Sequence, residues 1–194
     1  MNAVTNSIAN EDVKHKDTQW ESVSKFSSYR KISLTAGILY LLTFVSIPTL
    51  SLYSQVKDSN YILSAGPDTA ATVGGILEII VALAGIATAV VLFSVLKKQN
   101  ELLALGLVAS RVLEASTIFL GVAFLLSIVT LRQTGAGADS LIVSRTLVAL
   151  YDRIFLLGQS FMPAINDLLL GFLLYKSRLV PKILSLIGIV GGPV

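Results

Sequence analysis

Residues 70 to 131 read AATVGGILEIIVALAGIATAVVLFSVLKKQNELLALGLVASRVLEASTIFLGVAFLLSIVTL, and this stretch decides the fold. Residues 70–96 carry a single charge, Glu78. Five polar residues, Lys97 to Glu101, then turn the chain, and residues 102–131 carry only Arg111 and Glu114. A helix rises about 1.5 Å per residue, so each apolar run is long enough to cross the ~30 Å hydrocarbon core of a bilayer. The stretch therefore predicts two membrane spans joined by a tight polar hairpin.

Working outward, residues 32–53 are free of charge and form a first expected span, with Pro48 bending its far end. Residues 55–69, with Lys57, Asp58, Asn60 and Gly66-Pro67-Asp68, read as an exposed loop, and residues 132–145, with Gly135, Gly137 and Asp139, as another. Residues 147–175 make a fourth span that carries Asp152, Arg153, Pro163 and Asp167. Residues 183–194 are apolar but too few to cross alone, which predicts a partial, re-entrant or truncated fifth span. The expected fold class is all-α: a polytopic transmembrane helical bundle with at least four full spans plus a partial or truncated fifth. Residues 1–28 would be a polar N-terminal cytoplasmic tail and residues 29–194 the transmembrane helical domain.

The whole chain has 194 residues, 54% hydrophobic and only 14% charged, with a mean hydropathy of +0.76. Soluble domains carry about 25% charged residues. Nine of the 27 charges fall within the first 31 positions, which leaves the rest of the chain poorer still. There is no Cys, and the single His, His15, lies in the tail. Disulfides, thiol catalysis, Cys/His zinc sites and a Ser-His dyad are thereby removed, and no metal or cofactor is expected. Trp20, Val23 and Phe26 in the tail are spaced to lie on an anionic membrane surface. Glu11, Asp12, Asp17 and Glu21 offset the neighbouring lysines and favour a solvated tail instead. No apolar stretch there resembles a cleaved signal peptide.

Orientation follows from Lys and Arg near the span ends. Lys25, Arg30, Lys31, Lys97, Lys98, Lys176, Arg178 and Lys182 fall on one side, and Lys57, Arg132 and Arg145 on the other. The N-terminus is expected in the cytoplasm, with the chain in the cell inner membrane. The net charge of +3 is this topology signal rather than a nucleic-acid surface. The expected partners are the lipid bilayer and other membrane helices or further copies of the chain.

A charge near the bilayer centre costs about 2.5–3.5 kcal/mol on insertion scales, so those inside the spans are the functional candidates. Arg111 and Glu114, three residues apart, share a helix face and could pair with each other. In the fourth span Asp152, Gln159 and Asn166 recur every seven residues beside a second row, Arg153, Ser160 and Asp167. Seven residues is close to two helical turns, which predicts one polar stripe turned away from lipid. Pro163 within it frees the Gln159 carbonyl. In the second span Glu78, Ala82, Gly85 and Ala89 share a face of small residues suited to close helix packing. Depth along the helices suggests two charge layers, Glu78 with Arg153 and Arg111 with Asp167, leaving Glu114 and Asp152 as surplus carboxylates. The candidate ligand-, proton- or ion-binding residues are Glu78, Arg111, Glu114, Asp152, Arg153, Gln159, Asn166 and Asp167. No catalytic residue is assigned, since Ser160 beside Asp167 lacks a general base.

The same residues carry a resemblance. Tyr29-Arg30-Lys31, Leu77-Glu78, Leu96-Lys97-Lys98 with Asn100-Glu101, Leu105-Gly106 and Arg111-Val112-Leu113-Glu114-Ala115 form its first part. Asp152 with Leu156-Leu157-Gly158, then Tyr175 through Pro181 and Leu184-Ser185, continue it. Together they resemble the bacterial multi-pass membrane family known as domain of unknown function 4386. The resemblance implies a helical inner-membrane protein with more helices after the fourth and no established activity.

Two functional classes follow. The first is a non-enzymatic membrane scaffold or accessory subunit whose buried charge network organises the bundle. The alternative is a small-solute or ion transporter, or a ligand sensor, using buried carboxylates in a polar cavity between the second, third and fourth spans.

Overall fold

A computed structural model describes residues 29–135, 137–177 and 180–191 of the chain. The tail with Trp20, Val23, Phe26 and His15 lies outside the described residues, as does Arg178. Helix α1 covers residues 29–43 and runs through a turn at residues 44–45 into α2, Ser46–Leu52. Next come α3, Thr69–Leu96, and α4, Glu101–Gln133. Helix α5, Leu141–Phe155, passes through a π-helical turn, Leu156–Phe161, directly into α6, Met162–Ser177. Helix α7 is Lys182–Gly191. Every regular element among the described residues is helical.

Helices α3 and α4 occupy the two apolar runs of the decisive stretch. The hairpin between them is shaped by Asn100, whose side-chain oxygen accepts the Leu103 amide at 3.0 Å and caps α4. Glu101 in the first turn and Arg132 in the last complement the helix dipole. Three helical stretches, Tyr29–Leu52, α3 and α4, are long and apolar enough to cross a membrane.

The packing is inverted relative to a soluble bundle. Val73, Ile76, Ile80, Leu83 and Val90, at steps of three, four or seven residues, form an exposed apolar stripe along α3. Its opposite face buries Gly74, Gly75, Glu78, Ala82, Gly85 and Ala89, of which Gly75 and Ala82 let α4 approach closely. Lipid tails are as apolar as leucine, so close van der Waals fit rather than water exclusion must hold such helices together. The interior falls into three layers along the bundle. Leu96, Ala104, Leu107 and Leu173 pack at the hairpin end, Ala82, Ala115, Ile118 and Val122 in the middle, and Tyr53, Val56, Tyr61, Leu125 and Tyr151 at the far end.

Both helix interruptions trace to proline. Pro48 has no amide hydrogen, and its ring crowds the carbonyl four residues earlier, that of Phe44. The chain answers with tightened three-residue bonds: Phe44 donates to the Leu41 carbonyl at 3.2 Å, Val45 to Leu42 at 3.1 Å and Ile47 to Phe44 at 3.1 Å. Pro163 makes the same conflict with Gln159, and there the helix widens into the π turn.

Gly158, inside that π turn, presses against α4. A Cβ placed there would collide with the Thr117 side chain. Gly158→Ala should lower the midpoint of thermal unfolding in detergent by overpacking, at about 1–3 kcal/mol. Adding Thr117→Ala removes the hydroxyl and methyl but keeps the Cβ, 2.6 Å from the added methyl, so it should recover only part of the loss, and an additive double variant would show that this contact does not set the approach.

Candidate functional site

The residues singled out in the sequence sort into three groups. Arg111 and Glu114 pair within α4, Nη1 to Oε2 at 2.9 Å, with side chains only 11% and 13% exposed. Asn166 of α6 donates its Nδ2 to the same Glu114 oxygen at 2.6 Å, bridging the two helices. Asp167 lies beside this group and feels the Arg111 charge, yet it makes no hydrogen bond or ion pair among the described residues.

The second group surrounds Glu78, which is 1% exposed. Its partner is Tyr53, whose hydroxyl donates to Oε2 at 3.1 Å. Gly74, one turn earlier on the same face of α3, makes this possible, because a Cβ there would stand 2.8 Å from the Tyr53 ring. Thr49 and Gln159 also stand beside the carboxylate. Oε1 of Glu78 and the hydroxyl of nearby Tyr151 are buried with no hydrogen-bond partner among the described residues, and the Tyr53 and Tyr151 rings meet edge-on at 5.8 Å.

Asp152 and Arg153 form the third group and are exposed. Asp152 pairs with Lys57 at 2.6 Å, and Lys57 also sits 5.1 Å from the centre of the Tyr151 ring.

Two expectations are thereby corrected. The charge layers Glu78 with Arg153 and Arg111 with Asp167 are not the pairs that form: Glu78 bonds Tyr53, and Arg111 takes its own-helix neighbour Glu114. The six-residue polar stripe is also broken. Asn166 is buried and Gln159 and Asp167 half-buried, but Asp152, Arg153 and Ser160 face outward. The physical reason is the π turn, which takes an extra residue per turn, so a seven-residue spacing across it no longer returns to the same face.

Between α1–α2, α3, α4 and the π turn with α6 lies a cavity of about 290 Å³. Arg111, Glu114, Asp167 and Gln159 supply its polar wall, while Tyr40 and Phe44 stand on the α1 side. Both prolyl interruptions border it, since Phe44 and Ser46 line it from one and Gln159 and Pro163 from the other. Gly85 faces the guanidinium, and a Cβ there would make ordinary contact at 4.0 Å from Nη1 of Arg111. Glu78, Asp152, Arg153 and Asn166 are not among its lining residues. Sequence patterning missed Tyr40, Thr43, Phe44 and Ser46 because they read as ordinary parts of an uncharged span.

The family model described as domain of unknown function 4386 matches residues 35–194. The chain belongs to this family. No curated protein and no solved structure matches it. The matched region of this DUF4386 protein contains the whole cavity and the loop contacts at the far end of the bundle.

One such contact was not anticipated. Asp68, just before α3, accepts hydrogen bonds from Tyr61, Arg132 and Gln133, the last at 2.9 Å. Arg132 also donates to the Gly66 carbonyl and stacks 4.1 Å from the centre of the Tyr61 ring. This latch fastens the loop after α2 to the end of α4. Burial pushes the Tyr61 hydroxyl up to about 12, the hydrogen bond to Asp68 adds to the rise, and Arg132 opposes it. Burial acts to raise the Asp68 carboxyl, but the bonds from Tyr61 and Gln133 and the Arg132 charge outweigh it and hold the group below its usual range.

Two outcomes follow. Arg111→Met strands Glu114 in the interior and should cost about 3–5 kcal/mol in unfolding free energy, whereas Arg111→Met with Glu114→Met should cost clearly less than the two single losses combined. The depressed Asp68 group stabilises the latch fully near neutrality, and that contribution drains away below about pH 4 as the carboxylate takes a proton. Asp68→Asn should therefore speed proteolysis of the 55–68 loop at pH 7, with the difference from the parent protein shrinking toward pH 3.

Proposed function

We propose that this protein is a multi-pass inner-membrane protein that binds a small solute inside its helical bundle, working as a carrier or sensor rather than an enzyme. The observation that carries this reading is the cavity between two proline-interrupted helices, with Arg111, Glu114, Gln159 and Asp167 on its wall. Irregular backbone at membrane depth is tolerated where it lines a cavity, and interrupted helices are a recurrent way to build solute sites in transporters. The cavity residues also sit well inside the bundle: Arg111 is roughly 15 Å along α4 from its start at 1.5 Å per residue.

In this reading α5, the π turn and α6 together form a fourth span, and the N-terminus is cytoplasmic. Aromatic and basic side chains gather where an inner interface would lie. Lys98 bonds the Tyr29 hydroxyl at 2.8 Å, and Lys97 and Lys182 sit over Phe93 and Tyr175 at 5.6 and 5.7 Å.

A scaffold role has its own support. Arg111, Glu114 and Asn166 satisfy one another, Glu78 is held by Tyr53, and the α3 stripe from Val73 to Val90 offers an apolar face to other helices or to a second copy.

The chain has no cysteine, so a single introduced thiol reports its surroundings directly. Ser46→Cys, on the cavity wall, should be modified in intact membranes by small water-soluble thiol reagents, while Leu83→Cys, on the exposed stripe, should resist them. Equal resistance at both positions would mean a dry cavity and would overturn the solute reading in favour of the scaffold.

A further inference from the structure

The chemistry of the cavity wall identifies the class of solute. Three charged side chains line it, one cation and two carboxylates. The cation is already engaged, because Arg111 binds Glu114 at 2.9 Å and Asn166 donates to the same carboxylate. Asp167 is left facing the cavity with no bonded partner among the described residues. An unpaired carboxylate enclosed by apolar helices needs a positive charge or a proton.

The other wall shows which kind of positive charge suits it. Tyr40 and Phe44 line the cavity as an edge-to-face pair, ring centres 6.4 Å apart at 69°. Ring faces attract cations, and they pack well against the alkyl groups of an organic ammonium. A bare metal cation prefers a shell of about six oxygens, to which the two rings on the α1 side contribute no ring-face ligand. An anion would meet Asp167 with no free cation to hold it, and a neutral solute would draw on the carboxylate for a hydrogen bond alone. The volume of about 290 Å³ sits at the small end of ligand cavities.

We propose that the cavity binds a small organic cation, its ammonium group against Asp167 and its alkyl groups against Tyr40 and Phe44. This rests on the cavity being the solute site. Tetramethylammonium is the minimal probe, with sodium, tert-butanol and acetate as the inorganic, neutral and anionic comparisons at matched ionic strength.

In the Ser46→Cys protein, millimolar tetramethylammonium should slow thiol modification at least fivefold and raise the thermal unfolding midpoint. Sodium, tert-butanol and acetate should do neither. Asp167→Asn, nearly isosteric, should abolish the protection while leaving a folded protein, and Phe44→Leu should weaken it. Equal protection by sodium or tert-butanol, or protection that survives Asp167→Asn, would overturn the assignment of an organic cation while leaving an accessible cavity. A Ser46→Cys thiol that no reagent reaches would instead defeat the solute reading and this inference with it. A variant that fails to fold is replaced by measuring the midpoint shift of the parent protein across the four probes. A shift by tetramethylammonium alone supports the proposal, and no shift by it counts against it.

Discussion

Hydrocarbon provides no hydrogen bonds, so every backbone polar group and every charge within the apolar part of this chain must be satisfied by the protein or by something the protein holds. That constraint orders the rest. It makes the apolar runs helical, since a helix satisfies its own backbone. It also turns any break in a helix toward the inside. Pro48 and Pro163 each create such a break, and both breaks border the same cavity. The carbonyls and side chains that proline disturbs are thus gathered in one place rather than spread over a lipid-facing surface.

Side chains obey the same rule with different partners. Glu114 is answered by a guanidinium three residues away and an amide from the neighbouring helix. Glu78 is answered by a tyrosine hydroxyl, a neutral donor that costs far less to bury than a second charge. Asp152 has moved out to a position 52% exposed, where its pairing with Lys57 adds little because water does the work instead. Each of these carboxylates is accommodated by a different means, and Asp167 differs from them in having no bonded partner among the described residues.

What could be read from the sequence was whatever depends on composition and on regular spacing. The second and third apolar runs, the small-residue face of Glu78, Ala82, Gly85 and Ala89, and the Arg111–Glu114 neighbourhood all follow from periodicity along one unbroken helix. What could not be read depends on tertiary approach or on a change of period. The π turn shifts the register between Asp152 and Asn166, so a stripe drawn at constant spacing fails across it. Tyr53 reaches Glu78 from a different helix because Gly74 lets its ring in, and nothing in the residues near Glu78 signals that. Asp68 and Arg132 looked like a loop residue and a topology marker, and only the return of the loop onto the end of α4 joins them.

The small residues of α3 therefore serve two ends that are usually discussed apart. Gly74 and Gly75 let neighbours come close: Cβ atoms there would meet Tyr53 at 2.8 Å and Val122 at 3.2 Å. Ala82 and Gly85, further along the same face, line the cavity, Ala82 from the packed middle layer and Gly85 with room for a Cβ in ordinary contact with Arg111. A larger residue at Gly85 would reach into the cavity toward Arg111. A face that was small only for packing would be closed along its whole length. This one is closed at the far end and borders the cavity at mid-depth, where the charges lie, so packing and the proposed solute site draw on the same face of α3.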